Sequence, residues 1–592
     1  MSYSHVPEKW VVTAKRADFY GLAQEFGVDP VIVRLMVNRG VADRESIRRY
    51  LHGTMDDTHD AALMKDALLA AEILEAAIED GRKIGVASDF DVDGIFSGQL
   101  LYEGLTGLGA EVLVQTPDRV KDGYGMNVRM ADDFAAWGAG LIVTCDNGIA
   151  AFDALERAAG LGIPVIVTDH HEVPYEDTAG GRRYMLPKAD AIVDPKQADC
   201  GYPYKGLCGA GVAYKVLTLL YRRMGRELPE RFLEYVAVAT VCDVMDLTDE
   251  NRIMVKRGLK LLEHTDNPGL RALIAANGLT DRTLTAYHMG FVIGPCFNAA
   301  GRLENTEKPL ELLRTQDPVR AEELALYLKS LNDSRKTMTE NGTKQAIELI
   351  EGSSLINDRI LVLPLDGVHE SLAGIIAGRL RERYARPVIV LTATAEGYKG
   401  SGRSTEAYHM FEGLTACRDL LTRFGGHAMA AGLSLEREHL DELRSRLNEQ
   451  CGLTDDDLRP TVRIDAAMPI GYITEDLVAQ LELLEPMGKA NEKPVFAENL
   501  FSIRKAAVLG KNKNVLKLRV INSAGTAMDA LLFSGAEDFA AEAEERYGQK
   551  AWEAALRGDS NPVQAALAYY PSVNEYMGLR TIQIVISNYQ FK

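Results

Sequence analysis

The stretch Ile84-Gly85-Val86-Ala87-Ser88-Asp89-Phe90-Asp91-Val92-Asp93-Gly94 is an apolar run of strand length that ends in three alternating aspartates and a glycine. Two later apolar runs also end in acid. Residues 141–144 lead into Asp146-Asn147-Gly148, and residues 165–168 lead into Asp169-His170-His171. Helical periodicity fills the intervals at 97–108, 128–137 and 152–159, with one more strand pattern at 111–115. Alternation of this kind marks an α/β fold, a parallel sheet covered by helices on both faces. Ligands of such sheets bind beyond the carboxyl ends of the strands, so the three acidic tips are expected to converge on one crevice. Crowded carboxylates repel one another, and a bound cation is the usual means of holding them together. The pattern predicts a metal-dependent enzyme.

Outward from this core, residues 191–193 followed by Asp194-Pro195 read as a further strand, and helices dominate from 211 to 277. Residues 318–351 are amphipathic throughout and predict a long helix connecting two lobes. A second α/β pattern follows, with strands at 360–364 and 387–391 and a helix at 371–384. Beyond 460 the texture changes to short strand patterns at 462–464, 501–509, 515–521, 528–532 and 581–586, with a helix at 537–556 inserted among them. Short strands between turn residues predict a small barrel. The expected division is an N-terminal helical segment at 1–60, a catalytic domain at 61–277, a connecting segment at 278–351, a second α/β domain at 352–458 and a β-barrel at 459–592.

A chain of 592 residues needs several cores. It contains no apolar run near the ~20 residues that span a bilayer. The start Met1-Ser2-Tyr3-Ser4-His5 lacks a basic-then-apolar signal pattern, which predicts a cytoplasmic protein with no membrane partner. Seven cysteines without CxxC spacing argue against a disulfide framework and a zinc ribbon. The net charge of −19 does not exclude nucleic acid, because phosphate binding depends on where Lys and Arg cluster, and part of the excess belongs to the acidic tips.

Asp243, at the end of the apolar run 235–242, adds another acid. An oxygen-rich site with one or two imidazoles suits Mn²⁺ or Mg²⁺. So many acids predict two ions bridged by a shared carboxylate at roughly 3.5–4 Å separation. Any single Asp here could simply cap a helix or make a turn. Three successive strand tips and a consecutive Asp-His-His outweigh that reading.

Asp-x-Asp-x-Asp-Gly, the isolated strand-end Asp, Asp-His-His and the final helix-end Asp together resemble the four-motif signature of the DHH phosphoesterases. From about residue 81 onward the chain resembles, more closely, the bacterial RecJ single-strand-specific exonucleases. The resemblance implies that Asp91, Asp93, Asp146, His170 and Asp243 hold two Mn²⁺ or Mg²⁺ ions, with Asp146 as the bridge. It places His171 beside the scissile phosphate as acid or charge stabiliser, with Asp89 and Asp169 supporting the catalytic set.

The segment Gly294-Pro295-Cys296-Phe297-Asn298-Ala299-Ala300-Gly301-Arg302 resembles the family's stretch between the lobes, in which Asn298 and Arg302 would face the site and the DNA end. Many relatives carry Arg where this chain has Cys296. His369-Glu370-Ser371, the Gly-rich loop Lys399-Gly400-Ser401-Gly402-Arg403-Ser404 and Gly425-Gly426-His427 resemble the DHH-associated domain. There His369, Ser371, Gly425, Gly426 and His427 would hold the terminal nucleotides, and Ser401 and Arg403 would grip a 5′ phosphate. Near the C-terminus, Arg504, Lys505, Lys511, Lys513, Lys517 and Arg519 flank a turn at 510–514, which suits a single-strand-binding OB fold with sparse aromatics at Phe496, Phe501 and Phe533. The stretch 485–491 resembles the family's entry to that domain, with Met487 and Ala490 replacing Phe and Gly.

The implied activity is a 5′→3′ exonuclease on single-stranded DNA that releases nucleotides in repair and recombination. It would act as a monomer, with a single-strand-binding protein or a helicase supplying the strand. The alternatives are a DHH phosphodiesterase acting on short oligonucleotides or cyclic dinucleotides, and a binding scaffold that has lost its ligands. The long helix and extra β-rich domain favour a polymer, and the full ligand set disfavours a scaffold.

Overall fold

The computed structural model describes residues 8–119, 122–178, 181–510, 513–576 and 578–592. In the first lobe five parallel strands lie side by side in the spatial order Val112–Gln115, Lys83–Ser88, Ala139–Cys145, Val165–Thr168 and Ala191–Val193. Numbered by appearance this is 2-1-3-4-5, so strand order reverses between Lys83–Ser88 and Ala139–Cys145. Such a reversal leaves a crevice at the carboxyl ends of the two strands. Alternate side chains feed two cores. Ile84, Val86, Leu141 and Val143 pack with Phe96 and Leu217 on one face, whereas Ala87, Ile142, Val165 and Val167 pack with Phe134 and Leu155 on the other. Burial on both faces explains why these strands read as continuous apolar runs.

The expected helix over 318–351 is one 34-residue helix, Pro318–Glu351, about 51 Å long at 1.5 Å per residue, with its first turn capped by Asp317. It leads to the second lobe, whose sheet runs Arg423–Gly426, Ala430–Leu435, Gly397–Arg403, Val388–Thr394 and Leu361–Leu365. Only the last two are parallel, and helix Ala373–Tyr384 connects them. The segment expected as a Gly-rich loop at 399–404 is therefore mostly a strand, and Gly425-Gly426 end another. Glycine supplies no side-chain alternation, so the ladder that holds these strands leaves little trace in the sequence.

At the C-terminus Phe496–Leu509 pairs with both Val515–Asn522 and Gln564–Tyr576, and Leu579–Phe591 pairs with both Gln564–Tyr576 and Ala527–Leu532. With Val515–Asn522 also bonded to Ala527–Leu532, five strands close into a barrel. The helix expected at 537–556 is two helices, Ala536–Tyr547 and Gln549–Arg557, broken at Gly548, whose φ of 85° is left-handed. The long strand Gln564–Tyr576 is absent from the expected set.

The N-terminal helices Phe19–Phe26, Pro30–Asn38 and Arg44–His52 bury Ile32, Leu35, Ile47 and Leu51 in the same core as Leu477, Phe496 and Phe501 of the barrel domain. Strand Lys9–Val12 also pairs in parallel with Thr461–Ile464. Chain start and chain end thus share one body. Arg252 fastens it to the first lobe: its guanidinium donates to the carbonyls of Tyr50, Leu483 and Leu484 at 2.8–3.0 Å and lies over the Tyr50 ring. No helix among the described residues is long and apolar enough to cross a membrane.

Candidate active site

The loop after Lys83–Ser88 turns directly into helix Val92–Thr106. Asp91 caps that helix, accepting from Gly94 N at 3.1 Å, so the bland role and any chemical one coincide here. Asp93 lies in the first turn, and its two oxygens accept from Gly209 N and Ala210 N at 2.5 and 2.8 Å, at the start of helix Gly209–Arg223. Asp89 accepts from Gly125 N at 3.2 Å, while its Oδ2 is buried and has no protein donor.

Asp146 sits at the neighbouring strand end in a left-handed conformation, φ 60°, which Asp tolerates better than most residues. Its Oδ1 is 3.0 Å from His170 Nε2, and the same nitrogen lies 3.6 Å from Asp93 Oδ2 and 3.6 Å from Asp243 Oδ2. Asp243 caps the C-terminal end of helix Phe232–Cys242. The three strand tips and Asp243 therefore converge, as the sequence predicts.

Electrostatics within the cluster is unfavourable. Burial, followed by the charge of Asp91, pushes Asp89 up to about 8 and Asp93 up to about 6. Burial and Asp93 push Asp243 up to about 8 and hold Asp146 well above the usual carboxylate range. His170 is pushed down to about 3, mainly by burial and then by His171, so it is neutral and offers Nε2 as a lone-pair donor. Asp93, His170 and Asp243 can each point one ligand atom to a common centre, and so can Asp89, Asp91 and Asp146. The two groups share no member, and Asp146 touches both. Oxygen-rich and carrying one neutral imidazole, the cage fits a pair of hard divalent cations such as Mn²⁺ or Mg²⁺.

His171 stands at the rim of this cage. It comes within reach of a centre shared with Asp146 and His170, but both of its nitrogens are already engaged. Its Nδ1 bonds Asp169 Oδ1 at 2.7 Å, and its Nε2 is 3.0 Å from Tyr124 Oη. Burial disfavours its charge, but the Asp169 carboxylate prevails and pushes it up to about 9. Both ring nitrogens then donate, and Tyr124 Oη accepts from one while donating to the Asp146 carbonyl at 2.7 Å. Asp169 is fully engaged, accepting also from the amides of Ile149, His170 and His171.

Sequence reasoning missed Tyr124, Asn147 and Arg119. Asn147 staples the crevice, donating to the carbonyls of Ala87 and Cys145 and accepting from Met126 N. Arg119 lies over the Phe90 ring at 4.8 Å; burial lowers its guanidinium, and Asp89, Asp91 and Glu370 of the second lobe oppose that shift in part. Tyr124 stands between two left-handed glycines, Gly123 and Gly125, which was the available signal.

Helix Gly294–Leu303 closes the crevice. A Cβ on Gly301 would come 2.5 Å from the Phe90 carbonyl, so glycine is required for this approach. Asn298 is half-buried on that helix. Arg302 crosses to the second lobe and donates to the Ser371 carbonyl at 2.8 Å. Burial, then the nearby cations Arg119, Arg335 and Arg403, push its guanidinium down to about 10. An arginine wall thus faces the acid floor. Cys296 is buried, donating to Val292 O and accepting from Asn277 and Asn332, so it presents nothing to the cleft.

In the second lobe Ser371 donates to His369 Nδ1 at 2.7 Å, and Ser401 Oγ accepts from Arg403 Nη1 at 2.9 Å. Ser401 and Arg403 stand over Gly374, where a Cβ would come 3.0 and 2.7 Å from them. Ser401 pairs with Gly432, which pairs with Gly425, giving a flat row of small residues that leads to the exposed Gly426 and His427.

The barrel departs further from expectation. Phe496 and Phe501 are core residues, and only Phe533 of the three aromatics is exposed. Lys517 and Arg519 are both ion-paired to Asp529, which offsets part of the basic hairpin. Lys511 lies outside the described residues.

The chain matches the DHH family N-terminal domain over residues 83–240, the DHHA1 domain over 357–452 and the RecJ OB domain over 464–588. It is 38% identical over 523 residues to the single-stranded-DNA-specific exonuclease RecJ of Bacillus subtilis, covering 87% of this chain and 64% of that relative. With the RecJ of Dickeya dadantii it shares 34% identity across 94% of this chain and 95% of the relative. The RecJ of Thermus thermophilus in complex with Mn²⁺ superposes with a TM-score of 0.80 at 27% identity, over 98% of this chain and 79% of that one, and its Mg²⁺ complex with 0.75. The matches span both lobes and the barrel that position the crevice, and on that ground the chain belongs to the RecJ family of single-stranded-DNA-specific exonucleases.

Proposed function

We propose that this protein is a metal-dependent exonuclease that degrades single-stranded DNA from the 5′ end, releasing nucleotides by phosphodiester hydrolysis. The observation that carries the reading is the set Asp89, Asp91, Asp93, Asp146, His170 and Asp243, buried or half-buried and gathered at one switch point, where nearby cations leave four of the five acids pushed up. Asp91, Asp93, Asp146, His170 and Asp243 would hold two Mn²⁺ or Mg²⁺ ions, with Asp146 shared. Bound there, the ions supply Lewis acidity toward the phosphodiester and activation of water.

The remaining steps belong to the chain. Charged His171, fixed by Asp169 and Tyr124, places a positive charge beside the crevice that stabilises negative charge developing on the phosphate. Asp89 orders the loop that carries the ligands, through Gly125. Across the cleft Arg302, Ser401 and Arg403, with Asn298, His369, Ser371 and the Gly425-Gly426-His427 row, would hold the terminal nucleotide. A terminal phosphate fixed at set distance from the acids makes cleavage directional through positioning. The second lobe, the long helix and the barrel support a polymer substrate over a dinucleotide. In this reading the protein works in the cytoplasm as a monomer, on strands supplied by a helicase or a single-strand-binding protein.

The test is digestion of single- and double-stranded DNA labelled at either end, with Mn²⁺ or Mg²⁺. Mononucleotides from the 5′ end of single strands alone are expected. Preferential cleavage of dinucleotides, or release from the 3′ end, would overturn the assignment.

A further inference from the structure

Tyr287 and Phe291 lie four residues apart across a helical segment whose second half is a stretch of π-helix, Met289–Ile293. Their rings stack at 5.1 Å with planes 23° apart, yet the residues are 62% and 69% exposed. Two large rings stacked in open solvent bury little apolar surface and contribute little to folding, so folding alone gives no reason for the pair. Interruptions of α-helix by π-turns recur at functional sites.

The location supplies that reason. Cys242 donates to the Met289 carbonyl at 3.5 Å, and a Cβ on Gly290 would lie 3.5 Å from Val241 Cγ1. A Cβ on Gly294 would collide with Cys242 Sγ. The aromatic segment therefore rests on the last turn of the helix that ends at Asp243, one of the crevice acids. Val244, next in the chain, is itself 60% exposed and holds a left-handed φ of 55°, a costly conformation for a β-branched residue. Burial, then the charge of exposed Arg282, lowers the His288 imidazole, which places a cation near the residue that follows Tyr287. Stacked aromatics with an arginine nearby, beside a nuclease cleft, match the chemistry of an unpaired nucleic-acid strand: faces for bases and charge for the backbone. The barrel offers little for this purpose, since Phe496 and Phe501 are buried.

We propose that Tyr287 and Phe291 form a platform on which unpaired bases of the substrate strand stack just outside the acidic crevice. The inference rests on the single-strand exonuclease reading above. Base–aromatic stacking of ordinary strength gives the platform about a 5- to 100-fold share in strand affinity.

The test is binding of a single strand carrying 2-aminopurine, in EDTA so that nothing is cut. The wild type is compared with Tyr287→Ala/Phe291→Ala and with the conservative Phe291→Tyr. The double alanine variant should bind about 5- to 100-fold more weakly, and Phe291→Tyr close to wild type. Nucleotides of the strand are then replaced one at a time by abasic sites. One or two positions should weaken the wild type by a similar factor and have no further effect on the double variant. Equal binding by wild type and double variant, or identical abasic profiles in both, overturns the platform alone; a docking site for another protein would give that result. No binding by the wild type in EDTA also overturns the platform, and failure to cut the strand with Mn²⁺ as well overturns the exonuclease reading. Since both side chains are exposed, unfolding midpoints close to wild type confirm that the variants are folded.

Discussion

Lys215 and Glu250 on one side of the catalytic lobe, and Asp93 and Asp146 on the other, are buried to a similar depth, at 3% exposure or less. Their surroundings differ. Lys215 Nζ is 2.7 Å from Glu250 Oε2 and donates to the His59 carbonyl at 2.8 Å, while Glu250 also accepts from Tyr202 Oη and His59 N. Arg252, two residues on, is held by three carbonyls and a ring. Charge in this seam is balanced by the protein itself. At the crevice, five carboxylates share one neutral imidazole, and Asp89, Asp93, Asp146 and Asp243 are pushed up by burial and by a neighbouring acid. The first cluster joins parts of the chain. The second keeps an electrostatic deficit that the protein's own cations offset only in part, which is why it reads as a site.

Removing one member of each cluster should separate them. Asp146→Asn keeps the shape and the tolerance of a left-handed φ but deletes the shared carboxylate. Metal-dependent hydrolysis should fall on the order of 10³-fold or more, while the metal-free protein becomes more stable because a repelled charge is gone. Robust residual activity in a clean preparation would break the comparison. Lys215→Met should do the reverse, destabilising the fold by about 3–5 kcal/mol because Glu250 is left charged and unpaired, with Mn²⁺ affinity unchanged. Urea denaturation and metal titration read the two effects. Adding Glu250→Gln to Lys215→Met should restore much of the loss.

The deficit also predicts a pH signature. Asp89 and Asp243, pushed up from 3.8 to about 8, and His171, pushed up from 6.5 to about 9, each hold more protons in the folded than in the unfolded chain between pH 6.5 and 8. His170 acts in the opposite direction, but only between about 3 and 6.5. The contributions of Asp89, Asp243 and His171 are complete at low pH and are lost as pH rises through the folded values. The unfolding midpoint of the metal-free protein should therefore drop between pH 6.5 and 8, and Mn²⁺ should flatten that slope. A rising midpoint without metal would show the acids to be neutralised from within.

What the sequence disclosed follows the same division. The acids were legible because three strand tips repeat one chemical oddity, and the sheet was legible because its strands are apolar on both faces. The seam was not. Lys215, Glu250 and Arg252 sit in a helical pattern with ordinary spacing, and their partners are backbone carbonyls and hydroxyls distant in the chain. Nor were the second-lobe strands, since Gly397–Arg403 and Arg423–Gly426 lack apolar alternation. Tyr124 and Arg119 come from loops, where no periodicity shows which way a side chain points. The packing of the N-terminal helices on the barrel was hidden because an amphipathic helix announces that it has a partner without saying which.

The smallest expected effect compares two strained residues. Asp146 and Ala490 both hold φ 60°. At Asp146 the left-handed turn aims a carboxylate into the cage, so the strain accompanies chemistry. Ala490 lies in the stretch gripped by the seam, where Leu247 N donates to the Lys489 carbonyl and Asn491 donates to the carbonyls of Leu484 and Pro486 while accepting from Tyr50. No functional group follows from its methyl. A left-handed alanine costs about 1–2 kcal/mol relative to an unstrained position, and glycine removes that cost while gaining entropy in the unfolded chain. Ala490→Gly should therefore stabilise the joint by a net of about 0.5–1 kcal/mol with no change in metal affinity or hydrolysis. Loss of activity in that variant would mean that the seam transmits to the crevice, and the two clusters would have to be treated as one.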